Sequence, residues 1–430
     1  MTATETHRAI EAVWRIEQAR LIAGVARIVC DVGLAEELAQ DALVSALAQW
    51  PQKGVPRNPG AWLMATARNR ALDHLRRNKM LDRKHAQIGH ELELEQETVP
   101  DLDTALDDDV GDDLLSLIFT ACHPVLSAEA RAALTLRLLG GLTTDEIARA
   151  FLVPEPTVAQ RITRAKKTLA EKQVPFEVPR GKELAERLSS VLEVVYLIFN
   201  EGYSATAGSD WTRPQLCEEA LRLGRILAEL ARGEPEVHGL VALMEIQSSR
   251  LAARLGPSGE PVLLLDQNRA RWDQLLIRRG LAALARADAL GGVPGFYTLQ
   301  AAIAACHAQA HTAEETDWKR IAALYSVLAV VAPSPVVELN RAVAEAMAFG
   351  PAAGLERLDA LKNEPALENY HHLSGARGDF LFKLGRFDEA RSEFERAASL
   401  TRNERERELM LSRAADCMES ADRQPVQSSS

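Results

Sequence analysis

The chain of 430 residues has little of what marks several large classes of protein. Its five cysteines are widely spaced and lack the C-x-x-C or Cys/His spacing of a zinc site, so neither a disulfide framework nor a zinc finger is expected. The longest apolar stretch, VVYLIF at 194–199, is too short to cross a bilayer, and the N-terminal residues lack the apolar core of a signal peptide. These absences predict a cytoplasmic protein.

Sequence motifs of catalysis are also missing. Neither G-x-x-x-x-G-K nor G-x-G-x-x-G occurs, and the histidines at 307, 311, 371 and 372 have no nucleophile or carboxylate at a known motif spacing. We therefore expect no enzyme activity, no catalytic residue, no cofactor and no metal ion.

Charge is distributed unevenly along the chain, whose net charge is −11. Residues 1–90 carry 13 Lys and Arg against 9 Asp and Glu, and residues 114–180 carry 9 against 6, so both segments are basic. Between them, ELELEQETVPDLDTALDDDVGDD at 91–113 holds eleven acids and no Lys or Arg, which predicts a poorly ordered linker. Such a linker is either a solvated tether or a strap that pairs with a basic helix in the free protein.

The segment LTTDEIARAFLVPEPTVAQRITRAKKTL at 142–169 predicts a helix-turn-helix. Thr143 and Glu146 have the spacing of a capping box, and Val153-Pro154 ends the first helix. The second helix repeats apolar residues on one face, at Val158, Ile162, Ala165 and Leu169. Its other face carries side chains suited to base edges and phosphates, namely Thr157, Gln160, Arg161, Arg164 and Lys167. The alternative is an ordinary helical hairpin with a solvated basic face.

A second block, NPGAWLMATARNRALDHLRR at 58–77, predicts a helix that starts at Asn58-Pro59 and buries Leu63, Ala67 and Ala71. Away from that buried face lie an aromatic, polar and cationic set, namely Trp62, Asn69, Asp73, Arg76 and Arg77. Such a set suits single-stranded DNA, whose bases stack and whose backbone needs positive charge. The alternative is a core tryptophan and a helix end capped by arginines.

In order and spacing these parts resemble an RNA polymerase sigma factor of the extracytoplasmic-function, sigma-70-like group. AEELAQDALVSALAQW at 35–50 resembles region 2.2, the 58–77 block resembles regions 2.3 and 2.4, and residues 126–169 resemble region 4. The resemblance implies binding to core RNA polymerase, through its β′ coiled coil and β flap, and to promoter DNA.

The same resemblance implies a role for each predicted site residue. Glu37, Gln40 and Asp41 would face the β′ coiled coil. The −10 element would contact Trp62, Asn69, Asp73, Arg76 and Arg77, with the loop at 51–57 closing the pocket. The −35 element would contact Thr157, Gln160, Arg161, Arg164 and Lys167. The acidic linker would thread the polymerase cleft.

The C-terminal part contains a spacing typical of tetratricopeptide repeats. Ala390, Phe394 and Ala397 fit the second helix of a repeat, Gly378 fits the small position of the first, and glycines at 350 and 385 suit the turns. Residues 301–422 are predicted to stack as helical hairpins with a surface for a peptide or protein partner. A non-repetitive helical bundle is the alternative. FNEGYSA at 199–205 and the helices that follow it resemble the extension of one sigma subgroup, the one with tetratricopeptide-like tails, which implies a regulatory or assembly role.

Together these observations predict an all-α chain. The expected parts are region 2 at 7–90, the acidic linker at 91–113, region 4 at 114–175, a helical extension at 181–300, tetratricopeptide-like repeats at 301–422 and a disordered tail at 423–430. The predicted function is that of a sigma factor with a regulatory C-terminal domain. The alternatives are a stand-alone helix-turn-helix regulator with a sensor domain, or a tetratricopeptide scaffold.

Overall fold

A computed structural model describes residues 3–87, 110–151, 153–204, 212–257, 260–401 and 403–423. The chain divides into two compact units, residues 1–197 and 198–430. Helices form the regular structure of both units, apart from one isolated antiparallel bridge between Leu255 and Pro261, which confirms the predicted all-α class. Among the described residues, no helix combines the length and apolarity needed to cross a membrane.

The helices of the first unit are α1 (Ala3–Val29), α2 (Val32–Lys53), α3 (Pro59–Gln87), α4 (Val110–Ala121), α5 (Ala128–Leu138), α6 (Thr144–Phe151), α7 (Glu155–Glu171) and the larger part of α8 (Lys182–Tyr203). The second unit continues with α9 (Pro214–Leu230), α10 (Pro235–Ser248), α11 (Gln274–Leu290), α12 (Phe296–Gln309), α13 (Trp318–Val331), α14 (Pro335–Phe349), α15 (Pro351–Ala360), α16 (His371–Lys383), α17 (Phe387–Leu400) and α18 (Glu404–Arg423).

Helices α1, α2 and α3 pack together as a bundle whose helix starts follow from their caps. The Asp31 carboxylate accepts from the backbone N–H of Gly33 at 2.7 Å, and Asn58 Oδ1 accepts from the N–H of Ala61 at 3.1 Å. Both side chains thereby satisfy N–H groups that have no partner inside a helix. The predicted start of α3 at Asn58-Pro59 is confirmed.

Three predicted boundaries were wrong. Helix α2 continues through Pro51 to Lys53, so the loop predicted at 51–57 is shorter. The side chain of Trp50 is buried, and its carbonyl accepts from the N–H of Gly54, which stabilises this last turn. Helix α3 continues past its basic cluster to Gln87. Helix α4 starts at Val110, so the last four residues of the proposed linker are helical, with their acids in the first turn, where the helix dipole favours negative charge. Residues 91–109 of the linker lie outside the described residues.

The first turns of α8 are part of the core around α4 and α5. Arg187 donates to the backbone carbonyl of Phe119 at 2.9 Å, and the Ser190 hydroxyl donates to the carbonyl of Cys122 at 2.6 Å. Arg131 of α5 pairs with Ser190 and, at 3.0 Å, with Glu193. Helix α8 therefore satisfies carbonyls at the C-terminal end of α4, which a helix end leaves without intrahelical partners.

The second unit is built from helical hairpins with the packing that its spacing predicts. A Cβ on Gly378 of α16 would lie 2.7 Å from the ring of Phe394 on α17, so only glycine allows the two helices to approach this closely. Gly350 and Gly385 have φ angles of 107° and 73° and lie between successive helices. Both are therefore turn glycines, in the left-handed conformation that other residues adopt at a cost.

Candidate nucleic-acid interface

Helix α7 separates a buried apolar stripe from an exposed polar one. Val158, Ile162, Ala165 and Leu169 are buried, as predicted. On the opposite side Gln160, Arg164 and Lys167 are exposed, and Thr157 and Arg161 are half-buried at its edge. Their spacing of three and four residues places all five on one face of the helix. This face can enter a major groove.

The predicted capping box is present at the start of α6, the first helix of the motif. Glu146 accepts from the backbone N–H of Thr143 at 2.7 Å, and the Thr143 hydroxyl accepts from the N–H of Glu146 at 3.2 Å. This reciprocal pair is a capping box, and it fixes the start of α6. Helix α6 ends at Phe151 and α7 begins at Glu155, so Pro154 separates the two helices of the predicted motif.

The predicted −10 residues form a second stripe along α3. Asn69, Asp73, Arg76 and Arg77 are exposed, and Trp62 is half-buried. The ring of Trp62 meets the buried ring of Trp50 edge-on, with centroids 5.4 Å apart, so one side of the indole is held by the core. Asp73 pairs with Arg76 at 3.4 Å. The arrangement gives a rigid aromatic platform followed by amide, acid and arginine side chains on one face.

The predicted polymerase-binding residues of α2 are not equivalent. Glu37 and Asp41 are exposed, and Asp41 pairs with Arg70 of α3 at 2.7 Å. Gln40 is half-buried and donates to Glu36 at 2.9 Å. Sequence reasoning missed Val44, an exposed apolar side chain three residues after Asp41 on the same face. The face is therefore acidic at one end and apolar at the other.

Glu36 is a second residue that sequence reasoning missed. Only 2% of the residue is exposed, and its carboxylate contacts Arg137 of α5 at 2.7 Å and Lys166 of α7. Gln18 of α1 donates to the carbonyl of Arg137 at 3.2 Å. The α4–α7 segment therefore packs on the α1–α3 bundle. Lys166 of α7 lies against α2 in this contact.

Cys122, which precedes His123 in the chain, belongs to the core of the first unit. Its thiol is buried and lies 3.4 Å from the Thr135 hydroxyl. Burial raises the pKa of the thiol to about 11, which keeps it protonated at neutral pH. Cys122 therefore packs as a small apolar side chain.

Comparisons with known proteins agree with this layout. Residues 15–80 match sigma-70 region 2, residues 116–169 match sigma-70 region 4, and residues 187–288 match a family of unknown function (DUF6596). Over 378 residues the chain is 44% identical to an uncharacterized protein of Rhizobium meliloti (strain 1021), and the match covers 87% of each chain. No solved structure matches the chain.

The two matched sigma regions coincide with the two stripes. Region 2 contains α2 and the greater part of α3, and region 4 contains the helix-turn-helix of α6 and α7. Sigma-70 regions imply partnership with core RNA polymerase and promoter DNA, and sigma factor families are not enzymes. The chain belongs to the sigma-70 family of RNA polymerase sigma factors, as an extracytoplasmic-function-like member with a C-terminal extension, and it directs promoter recognition and transcription initiation.

Proposed function

We propose that the exposed face of α7 reads the −35 element in the major groove. Its support is the separation of a buried apolar stripe from the stripe at Thr157, Gln160, Arg161, Arg164 and Lys167. Arginine and glutamine make bidentate contacts to guanine and adenine edges, and lysine neutralises phosphate. This separation is the observation that carries the proposal, because it leaves Gln160, Arg164 and Lys167 exposed to DNA while the opposite face of the helix is held in the core.

The stripe of α3 is assigned to the −10 element. The indole of Trp62, braced by Trp50, offers a flat surface at which an unstacked base can pack. Asn69 and Asp73 supply hydrogen-bonding groups about two and three turns further along, and Arg76 and Arg77 lie where the DNA backbone continues. Extrusion of a base costs a few kcal/mol, which stacking and hydrogen bonds at this stripe offset.

The exposed face of α2 is assigned to the β′ coiled coil of core polymerase in the cytoplasm. Glu37 and Asp41 provide negative charge and Val44 provides an apolar contact, a combination that suits a basic, amphipathic helical partner. Gln40 reaches this interface only after it releases Glu36. Region 4 is assigned to the β flap, in line with the family.

Promoter binding on both elements requires the contact at Glu36 to open. The positions −10 and −35, after which the two elements are named, are 25 base pairs apart, which is about 85 Å along a straight duplex. A unit of 197 residues is about 40 Å across when compact. We therefore infer two forms of the first unit. In the closed form, adopted by the free chain, region 4 contacts Glu36. In the open form, held by polymerase, that contact is broken.

The extension is assigned a structural as well as a regulatory role. Because α8 satisfies the carbonyls of Phe119 and Cys122, region 4 depends on residues that follow the sigma domains in sequence. A truncation at residue 180 removes this support, whereas one after residue 204 keeps it. The partner of the remaining helices is a protein or peptide bound on the hairpins of the second unit.

Run-off transcription with core polymerase tests the −35 assignment. The template is a promoter selected by the wild-type holoenzyme from genomic fragments. Arg164→Glu is expected to reduce run-off product about 5- to 150-fold, since loss of one base contact costs about 1–3 kcal/mol, while binding to core polymerase stays unchanged. Arg286→Glu, an equal charge change on exposed α11, is the control and should leave the product unchanged.

Two outcomes would contradict the proposal. If the wild-type chain neither binds core polymerase nor directs any specific start, the polymerase assignment is wrong. If the pure chain shifts promoter DNA tightly without polymerase at physiological salt, the chain is a stand-alone helix-turn-helix regulator instead.

A further inference from the structure

Two histidines and a glutamate converge at one end of the last hairpin. His371 and His372 are the first two residues of α16, and Glu406 lies in the first turn of α18. One ligand atom from each of the three lies within 4.8 Å of the others. The histidines were noted in the sequence, but no metal ion was expected there, because the glutamate is far along the chain and no ligand motif has that spacing.

The two helices that carry the cluster are held in register along their length. The Sδ atom of Met410 on α18 would be 3.6 Å from a Cβ on Gly375 of α16, an ordinary packing distance, and Arg413 pairs with Asp379 one turn further on. Contacts therefore recur at successive turns of both helices, in the same direction. Ligands on such a rigid pair of helices are fixed before any ion arrives.

The carboxylate of Glu406 is oriented as a metal ligand requires. The buried hydroxyl of Thr401 donates to Glu406 Oε2 at 2.7 Å, and the same oxygen lies 3.0 Å from His371 Nε2. The Thr401 contact is an outer hydrogen bond of the kind that orients a carboxylate as a metal ligand.

One ring nitrogen of His371 is buried beside the Glu406 carboxylate. His371 Nε2 is out of contact with solvent and lies 3.0 Å from Glu406 Oε2 without an aligned hydrogen bond. The ring of His372 packs against that of His371 with centroids 3.9 Å apart, and His372 is exposed, which gives an ion a path from solvent. The three donor groups thus meet at one point that solvent can reach.

We propose that His371, His372 and Glu406 form a site for a divalent transition-metal ion such as Zn²⁺. Two imidazoles and one carboxylate are a known zinc ligand set, and three protein ligands leave a fourth position open. Zinc requires distances of about 2.0–2.2 Å to each donor, so binding would draw the three ligand atoms, which lie within 4.8 Å of one another, closer together. The ion would tie the start of α16 to the start of α18 and present its open position to solvent.

Zinc titration of the full-length chain without a polyhistidine tag tests the site, and needs neither polymerase nor DNA. One Zn²⁺ per chain is expected to bind at micromolar concentration, measured by competition with a chromogenic chelator, and to raise the melting temperature. His372→Ala and Glu406→Gln should each weaken binding at least tenfold. Glu406→Gln retains the shape and the Thr401 contact, so it separates the loss of a ligand from loss of the fold.

The matched control is His311→Ala, which removes an exposed histidine outside the cluster and should leave zinc affinity unchanged. Circular dichroism without metal confirms that each variant is folded. If the wild-type chain binds no zinc at 100-fold molar excess, or if either cluster variant binds less than tenfold more weakly than the wild type, the site does not exist. Failure of this test leaves the assignment as a sigma factor intact, since no sigma residue takes part.

Discussion

Glu36 shows how one side chain can decide the state of the first unit. Its buried carboxylate neutralises Arg137 and Lys166, two cations of region 4, which contains α7. Removing one partner of a buried ion pair typically costs about 3–5 kcal/mol, because the remaining charges are left in a medium that solvates them poorly. Glu36 therefore stabilises the closed form far more than an exposed acid would.

Glu36→Gln is expected to loosen the closed form, because Arg137 and Lys166 lose their counter-charge. The free chain should then bind promoter DNA several-fold more tightly, and its affinity should depend more steeply on salt, since the exposed face of α7 becomes available to phosphates. Fluorescence anisotropy over a range of salt concentrations measures both quantities. Glu37→Gln removes the same charge from the next, exposed position. Equal effects of the two substitutions would show that charge alone, and not the buried contact, sets the affinity.

His307 is a residue whose environment makes the second unit sensitive to acid. It is 8% exposed, its ring lies edge-on to Trp318 at 5.1 Å, and Arg269 donates to its carbonyl at 2.8 Å. Burial, together with the charges of Arg250 and Arg269, lowers the pKa of His307 to about 3. The folded chain keeps this imidazole neutral at a pH where the unfolded chain protonates it.

Stability should therefore fall as the pH falls below about 6.5, the pKa of histidine in an unfolded chain, and continue to fall toward pH 3. One proton taken up on unfolding changes the free energy of unfolding by about 1.4 kcal/mol per pH unit. Urea unfolding between pH 6.5 and 4.5 should show a shallower dependence for His307→Gln, by up to that amount. His311→Gln, at an exposed histidine, should keep the wild-type dependence, and equal slopes in all three chains would refute this origin.

At the scale of elements, helix periodicity predicted the structure well wherever apolar residues recur. The buried stripe of α7, the capping box at Thr143 and the small position at Gly378 were all predicted and are all present. Helix ends were predicted less well. Pro51 was taken as a stop, but a proline in a last turn that is anchored by Trp50 does not end the helix there.

Two glycines of α16 give a direct test of hairpin packing. Gly378→Ala should lower the free energy of unfolding of the second unit by about 1–3 kcal/mol, because its Cβ would be 2.7 Å from the Phe394 ring. Gly375→Ala adds the same group where the Sδ of Met410 is 3.6 Å away, and should raise stability by about 0.5–1 kcal/mol through helix propensity. Urea unfolding of both variants measures the contrast. A loss of stability in Gly375→Ala as large as that in Gly378→Ala would contradict this packing.

At the scale of the whole molecule, the sequence could not reveal contacts between residues far apart in the chain. Glu36 and Lys166 have no shared periodicity, and the acids around Glu36 gave no sign that one of them is buried. The same holds for His371 and Glu406, which only the packing of α16 beside α18 brings together. The stripes of α2, α3 and α7 could be predicted, since each lies within one helix. The dependence of region 4 on α8 could not.

The net charge of −11 bears on the closed form that we propose. A chain of this charge is repelled by DNA, and Lys166 of α7 is also engaged by Glu36. We therefore expect weak binding of the free chain to promoter DNA. In the proposed open form, core polymerase would offset this, since it would add its own contacts to DNA and hold the two regions apart.

Single-molecule energy transfer between region 2 and region 4 tests this account most directly. Dyes are placed at Ala12→Cys on α1 and Lys172→Cys after α7, both exposed positions, in a chain whose exposed Cys30 is replaced by serine. In the free chain the dyes should be less than about 40 Å apart, the width of a compact unit of this size. On core polymerase with promoter DNA they should separate toward about 85 Å, the span of the two elements on straight duplex. Unchanged high transfer in an actively initiating complex would contradict the closed and open forms proposed for this sigma factor.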